Sequence, residues 1–444
     1  MSLIKVLATN FVLPAEKPWN KSNFPNLQLS YISFIFLRKL KILSCLFVPL
    51  FLLSMTSCSE KKEAAYVEGL LYLDGKAVSI EIVDGLISRV KPLASGSGVP
   101  DVYLAPGLID IQINGYMGVD FSDQELSSDQ MHEATYALWK EGVTSYLPTL
   151  ITRDHPRLAH SFSLLAGALD DEMIGMSIPG FHLEGPYISP VDGYRGAHPL
   201  QHVRLPDWEE FSEYQEKAHQ GIKLITVAPE MEGAISFIKL CRESGVVVSL
   251  AHHNGSPEII DQAVEAGASL SGHLGNGCAN EINRHHNPLW PQLSNDGLSI
   301  SIIADGSHLT KEEVRSFYKV KGAEGTILVS DALSFAGLPP GIYEKDGETY
   351  ELTGEVVKFP SQNVLAGAAM PISRCITNAM KFTGCSLEEA IRMASTNPAR
   401  LLGLDHLGEI KEGLRADLIQ FVLEDGAMVI QKTWVAGKVV YLKE

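Results

Sequence analysis

The chain has 444 residues, and its 36 basic and 53 acidic side chains leave a formal charge of −17. Such acidity excludes a nucleic-acid binder, which needs clustered Lys and Arg to meet phosphates. With 45% hydrophobic and only 20% charged residues the chain is not disordered, and it can bury a large core.

In chain order, residues 1–30 show no clean periodicity. The basic cluster Arg38, Lys39 and Lys41 comes next, then the apolar run from Ile42 to Leu53. That run is too short to span a bilayer, which takes about 20 residues, but it suits the core of a signal peptide. Small residues precede Cys58 and the polar stretch SEKKE follows it. The pattern resembles a bacterial lipoprotein signal, in which Cys58 is cleaved and lipidated. The expectation is an extension over 1–65 that anchors the protein to a membrane outside the cytoplasm; a translation start elsewhere would leave it cytoplasmic. Past this segment Cys241, Cys278, Cys375 and Cys385 form no CxxC pair, so any metal must rest on His and carboxylates.

Residues 66–105 read as short alternating strands with Asp-Gly turns at Asp74–Gly75 and Asp84–Gly85, and residues 400–444 read the same way. A small β-sandwich formed by both chain ends is expected. Between them, over 106–399, eight short apolar runs alternate with amphipathic stretches: 108–114, 144–149, 178–185, 223–230, 246–253, 268–274, 298–306 and 326–332. Helices are expected over 127–142 and 256–268, with Ser256 as N-cap before Pro257. Eight such units predict an α/β fold, a closed (β/α)8 TIM barrel with parallel strands buried on both faces. An open doubly wound sheet fits less well, because no glycine-rich phosphate loop follows the first strand.

The strand ends carry polar groups that a core does not tolerate unpaired. The third ends in His182 and Glu184, the fifth in His252 and His253, and the sixth in His273; the seventh leads to Asp305 and His308, and the eighth to Asp331. In a barrel these C-terminal ends converge on one site. Imidazole and carboxylate are zinc-type ligands, and Glu184, His252 and His273 would leave one position open for water. Asp331, the next strand-end carboxylate, is then the natural proton shuttle. Metal-assisted hydrolysis follows.

At this point several motifs line up. HLEGP (182–186), AHHN (251–254), GHLGN (272–276), IADGSH (303–308), SDA (330–332) and LAG (365–367) resemble the N-acetylglucosamine-6-phosphate deacetylases of the amidohydrolase superfamily, as do PGLIDIQING (106–115), LPTLIT (147–152), VAPE (227–230) and STNPAR (395–400). The resemblance runs from about Tyr66 to the C-terminus. It implies a metal-dependent barrel with a β-sandwich, and hydrolysis of the acetamide of N-acetylglucosamine 6-phosphate. It implies metal ligands at Glu184, His252 and His273, a general base at Asp331, and His198 polarising the acetyl carbonyl. It places the sugar phosphate at Asn276, Gly277 and His308. Arg284 matches an arginine that reaches the substrate of a neighbouring subunit, which implies a homodimer.

Departures from the family pattern matter too. Gln112 and Asn114 stand where many amidohydrolases carry His-x-His, so one divalent metal per subunit is expected, zinc first, with Fe, Co or Mn as alternatives. His253 replaces a serine, and its expected role is packing or hydrogen bonding. His285 and His286 flank Arg284 in a remodelled loop, which leaves open another N-acyl sugar or an N-acyl amino acid as substrate. A lipid-anchored binding protein without catalysis is the third reading, and the intact set Glu184, His252, His273 and Asp331 opposes it. Arg284 favours a phosphorylated substrate, whereas an exported Cys58 disfavours one.

Overall fold

In a computed structural model, residues 64–94, 98–345, 347–360 and 364–444 are described; the expected lipoprotein signal and Cys58 lie outside them. Eight strands form one sheet in chain order: β1 (Leu108–Ile113), β2 (Val143–Ile151), β3 (Phe181–Glu184), β4 (Ile222–Val227), β5 (Val247–Leu250), β6 (Ala268–Ser271), β7 (Ser299–Ile302) and β8 (Thr326–Leu328). Every neighbouring pair is parallel.

Closure comes just past the strand ends. The Asn114 N–H donates to the Ala332 carbonyl and the Asp331 N–H to the Gln112 carbonyl, both at 2.9 Å. The buried Asp110 carboxylate takes the Ser330 N–H at 3.2 Å, joining the eighth strand to the first from below. The open-sheet alternative is thereby set aside. Continuous apolar runs such as LIDIQI are buried at every position, as strands covered on both faces must be.

The two helices anticipated from their caps form at Ser128–Lys140 and Pro257–Ala266. Ser127 and Gln130 make a reciprocal capping box on the first, and the Ser256 side chain accepts the Ile259 N–H on the second, each cap contributing about 1 kcal/mol.

Both chain ends supply a single seven-stranded sheet. It takes Ala65–Leu71, Ala77–Val83, Leu86–Pro92 and Tyr103–Pro106 from the N-terminal side, and Leu418–Glu424, Ala427–Val435 and Lys438–Leu442 from the C-terminal side. The sheet rolls back on itself like a sandwich. The turn at Gly85 meets the turn at Ala436–Gly437, although their hairpins lie toward opposite edges, and Val67, Ile80, Ile87, Leu418 and Trp434 pack between them.

One element was not anticipated. Between β8 and the helix Ile372–Thr383, four antiparallel strands, Gly341–Lys345, Glu348–Leu352, Val356–Phe359 and Val364–Ala368, form a separate sheet. It is fastened to the end of β8 by the Leu333 N–H donating to the Ala368 carbonyl at 3.0 Å. Among the described residues, no helix is long and apolar enough to cross a membrane.

Candidate active site

The strand ends overrun the strands themselves, and the overrun is where the chemistry lies. His252 and His273 each stand two residues past the last residue of β5 and β6, and Asp331 three past β8; all three take left-handed backbone, with φ of 52°, 26° and 48°. That conformation breaks the ladder and turns their side chains into the barrel mouth. Glu184, the last residue of β3, meets them there.

His273 Nε2 lies 2.8 Å from Glu184 Oε1, His252 Nε2 lies 3.4 Å from the same oxygen, and the two ring nitrogens are 3.1 Å apart. All three residues are buried. Donor chemistry fits a cation at this point. His252 Nδ1 faces the Tyr194 carbonyl at 3.0 Å, so Nδ1 carries the proton and Nε2 keeps its lone pair. The cluster also calls for positive charge. Against the effect of burial, the His252 and His273 imidazoles beside it hold Glu184 well below the usual carboxylate range, and Glu184 in turn draws His273 up to about 9. Among the described residues, Glu184, His252 and His273 are the one such group able to hold a metal ion.

The cluster forms the wall of a cavity of about 670 Å³ that also takes in Asp331, His198, Asn276 and His308. Burial, then the negative charge of Glu184, pushes the Asp331 carboxyl up to about 7. Burial, then the neighbouring His252, pushes His198 down to about 3, so its ring is neutral at pH 7. His308 Nδ1 contacts Asp305 Oδ2 at 2.6 Å, and Asp305 also accepts the Ser307 and His308 N–H groups.

A family model described as the amidohydrolase family matches residues 103–440. A protein named N-acetylglucosamine-6-phosphate deacetylase from Lysinibacillus sphaericus is 31% identical over 361 residues, 80% of this chain and 91% of its own. The chain belongs to the N-acetylglucosamine-6-phosphate deacetylase family of the amidohydrolases. An N-acetylgalactosamine-6-phosphate deacetylase from Escherichia coli O157:H7 is 30% identical, covering 81% of this chain and 93% of its own. Among solved structures, a mutant N-acetyl-D-glucosamine-6-phosphate deacetylase from Mycobacterium smegmatis, in complex with N-acetyl-D-glucosamine-6-phosphate, superposes with a TM-score of 0.77 at 25% identity. It covers 85% of this chain and 99% of the other.

Within this deacetylase-family site, the expected residues fall into four groups. Glu184, His252, His273, Asp331, His198, Asn276 and His308 line the one cavity. Gly277 does not line it but backs the metal cluster: a Cβ there would stand 2.6 Å from the His252 backbone nitrogen, so only glycine fits. Arg284 is exposed and outside its own chain's cavity, and so are His285 and His286. His253 is buried with Nδ1 accepting the Gly255 N–H at 3.1 Å, a hydrogen-bonding role in keeping with its expected one.

Other contributors to the deacetylase site escaped the sequence reading. Gln112 Nε2 donates to Glu184 Oε1 at 2.8 Å and Asn114 Nδ2 to Asp331 Oδ1 at 2.9 Å, so the two amides orient the two carboxylates. Their replacement of His-x-His was visible in sequence, but the partners were not. Phe359 and Leu365 of the four-stranded insertion form part of the cavity wall. The alternation of GIYEKDGETYEL around an Asp-Gly pair was the signal for that hairpin.

Proposed function

We propose that the chain hydrolyses the acetamide of N-acetylglucosamine 6-phosphate to glucosamine 6-phosphate and acetate. The observation that carries this reading is the convergence of Glu184, His252, His273, Asp331 and His198 on one cavity, in a chain of that family. One divalent cation held by Glu184, His252 and His273, zinc by the preference of two imidazoles and a carboxylate, would polarise the amide and make water acidic enough to react near neutral pH. Asp331 accepts a proton from the attacking water as the new C–O bond forms. It returns that proton to nitrogen as the C–N bond breaks, so the amine leaves neutral. His198 donates a hydrogen bond to the carbonyl oxygen, where negative charge develops. Asn276 and His308 bind the sugar phosphate, with Gly277 backing the metal cluster beside them, and Arg284 reaches the phosphate of a substrate held by a second copy in a homodimer.

Acetate release by metal-reconstituted protein tests this. The expected order places N-acetylglucosamine 6-phosphate first, ahead of N-acetylgalactosamine 6-phosphate, unphosphorylated N-acetylglucosamine and N-acetyl amino acids. No acetate from the first would overturn the reading. The galactosamine epimer is the second reading, favoured by the similarity to the Escherichia coli relative. Elemental analysis is expected to give one metal per chain, because Gln112 and Asn114 are committed to Glu184 and Asp331. Two would contradict it. Mixing Arg284→Ala with Asp331→Asn protein tests the shared site: regained activity supports it, and a monomer in sedimentation opposes it. Lipid anchoring at Cys58 is tested by the mass of the N-terminus of membrane-extracted protein; an unmodified Cys58 inside a longer chain would refute it.

A further inference from the structure

The motif LPTLIT ends at Thr152, directly after β2, and nothing in the reaction scheme yet uses it. Thr152 is fully buried, and its hydroxyl oxygen lies 2.8 Å from His198 Nδ1, across 46 residues of chain. The space for that hydroxyl is made by a glycine. A Cβ on Gly185, in the HLEGP motif, would stand 2.2 Å from Thr152 Oγ1. The His198 ring sits edge-on to the His252 ring at 4.4 Å, and with Nδ1 turned to Thr152, Nε2 is the nitrogen left to the cavity.

A neutral imidazole has one N–H and one lone pair, and the partner of one nitrogen decides which end carries the proton. A threonine hydroxyl can fill either role. A donor of a hydrogen bond to a carbonyl in the cavity must carry its proton on Nε2, so Nδ1 must accept, and the hydroxyl beside it must donate. We propose that Thr152 is the positioning residue that fixes His198 in its Nε2–H tautomer by donating its hydroxyl proton to Nδ1. This rests on the carbonyl-polarising role of His198 in the proposed reaction. The parallel with His252 is instructive: there a carbonyl acceptor, Tyr194, fixes the opposite choice and leaves Nε2 bare for a cation. Two adjacent imidazoles of the same site are thus set to opposite tautomers by a donor and an acceptor.

The test uses zinc-loaded, full-length protein with 15N-labelled histidine, and His198→Asn to assign the signals. The expected spectrum of the resting protein shows His198 with a pyrrole-type Nε2 and a pyridine-type Nδ1. Thr152→Val, which keeps the shape and removes the hydroxyl, is expected to mix the tautomers and to lower kcat about 10- to 100-fold, the usual loss for an outer partner of a reactive group, with KM little changed. Thr152→Ser, which restores the hydroxyl, is expected to recover both spectrum and rate. A proton on Nδ1 in the unaltered protein overturns the proposal, as does a serine variant as impaired as the valine one. If the valine variant does not fold, the spectrum of the unaltered protein and the serine variant still decide. Because the spectrum needs no turnover, a wrong tautomer and a wrong substrate are separately visible.

Discussion

Asp331 is buried beside a carboxylate and held by the Asn114 amide, an environment that keeps its proton affinity near neutrality, where a group that must both take and give a proton works best. Asp331→Asn keeps the shape and tolerates the left-handed backbone. It is expected to retain the metal by elemental analysis while losing about 10²- to 10⁴-fold in kcat, the usual contribution of general acid–base catalysis. His273 makes a second prediction. In metal-free protein its pKa is raised from 6.5 to about 9 by Glu184, so the stability that this pair contributes is fully present below pH 6.5 and is lost as pH rises through 9. Melting temperatures of chelator-treated protein across that window should fall, and a flat profile would contradict the pairing. At this scale the sequence was informative about which residues matter, because strand-end His, Glu and Asp stand out against apolar runs. It was silent on what orients them. Thr152, Gln112, Asn114 and the Tyr194 carbonyl act through contacts with residues far away in the chain, and no local pattern shows those partners.

At the level of elements, all eight barrel strands were legible, since a strand buried on both faces leaves a continuous apolar run. Their C-terminal limits were not, because the left-handed residues at 252, 273 and 331 end the ladder while the apolar run continues around them. The four-stranded insertion was absorbed into the barrel for the opposite reason: its first two strands, half-exposed and rich in Glu and Lys, lack the apolar signal. Yet this sheet reaches the cavity. Lys345, on its first strand, ion-pairs with Asp120 of the short hairpin after β1 and holds the sheet in place, while Phe359 at the end of its third strand forms part of the wall. Phe359→Ala removes apolar surface that excludes water from the site and touches no ligand of the metal. It is expected to raise KM several-fold, with kcat and metal content close to those of the unaltered protein, as steady-state kinetics and elemental analysis will show.

For the whole molecule, the shared sheet makes the two chain ends interdependent. Tyr103–Pro106 pairs with Leu418–Glu424, and the Thr433 hydroxyl donates to the Trp139 carbonyl of a barrel helix. A chain ending at Gly426 loses two strands and leaves an unpaired edge, so it is expected to be recovered as aggregate and to bind no metal. A soluble, metal-loaded product would show that the barrel stands alone. The charge of −17 also takes on a local exception, since the proposed substrate is an anion, and the proposed cation and second-copy Arg284 would have to attract it against the net field. The left-handed turns at His252, His273 and Asp331 carry one more implication. Backbone of that hand costs a residue with a Cβ roughly 1–2 kcal/mol, and three such residues consume a sizeable share of a folding free energy that is only about 5–15 kcal/mol in total. Glycine adopts the same turn without that cost, but Asp331→Gly also deletes the acceptor of the Asn114 amide, so the dead protein should gain at most about 1 kcal/mol of resistance to denaturant. Lineages freed from selection for turnover would therefore drift toward glycine at these three positions first, and a homologue carrying glycine there would advertise the loss of the reaction before any assay was run.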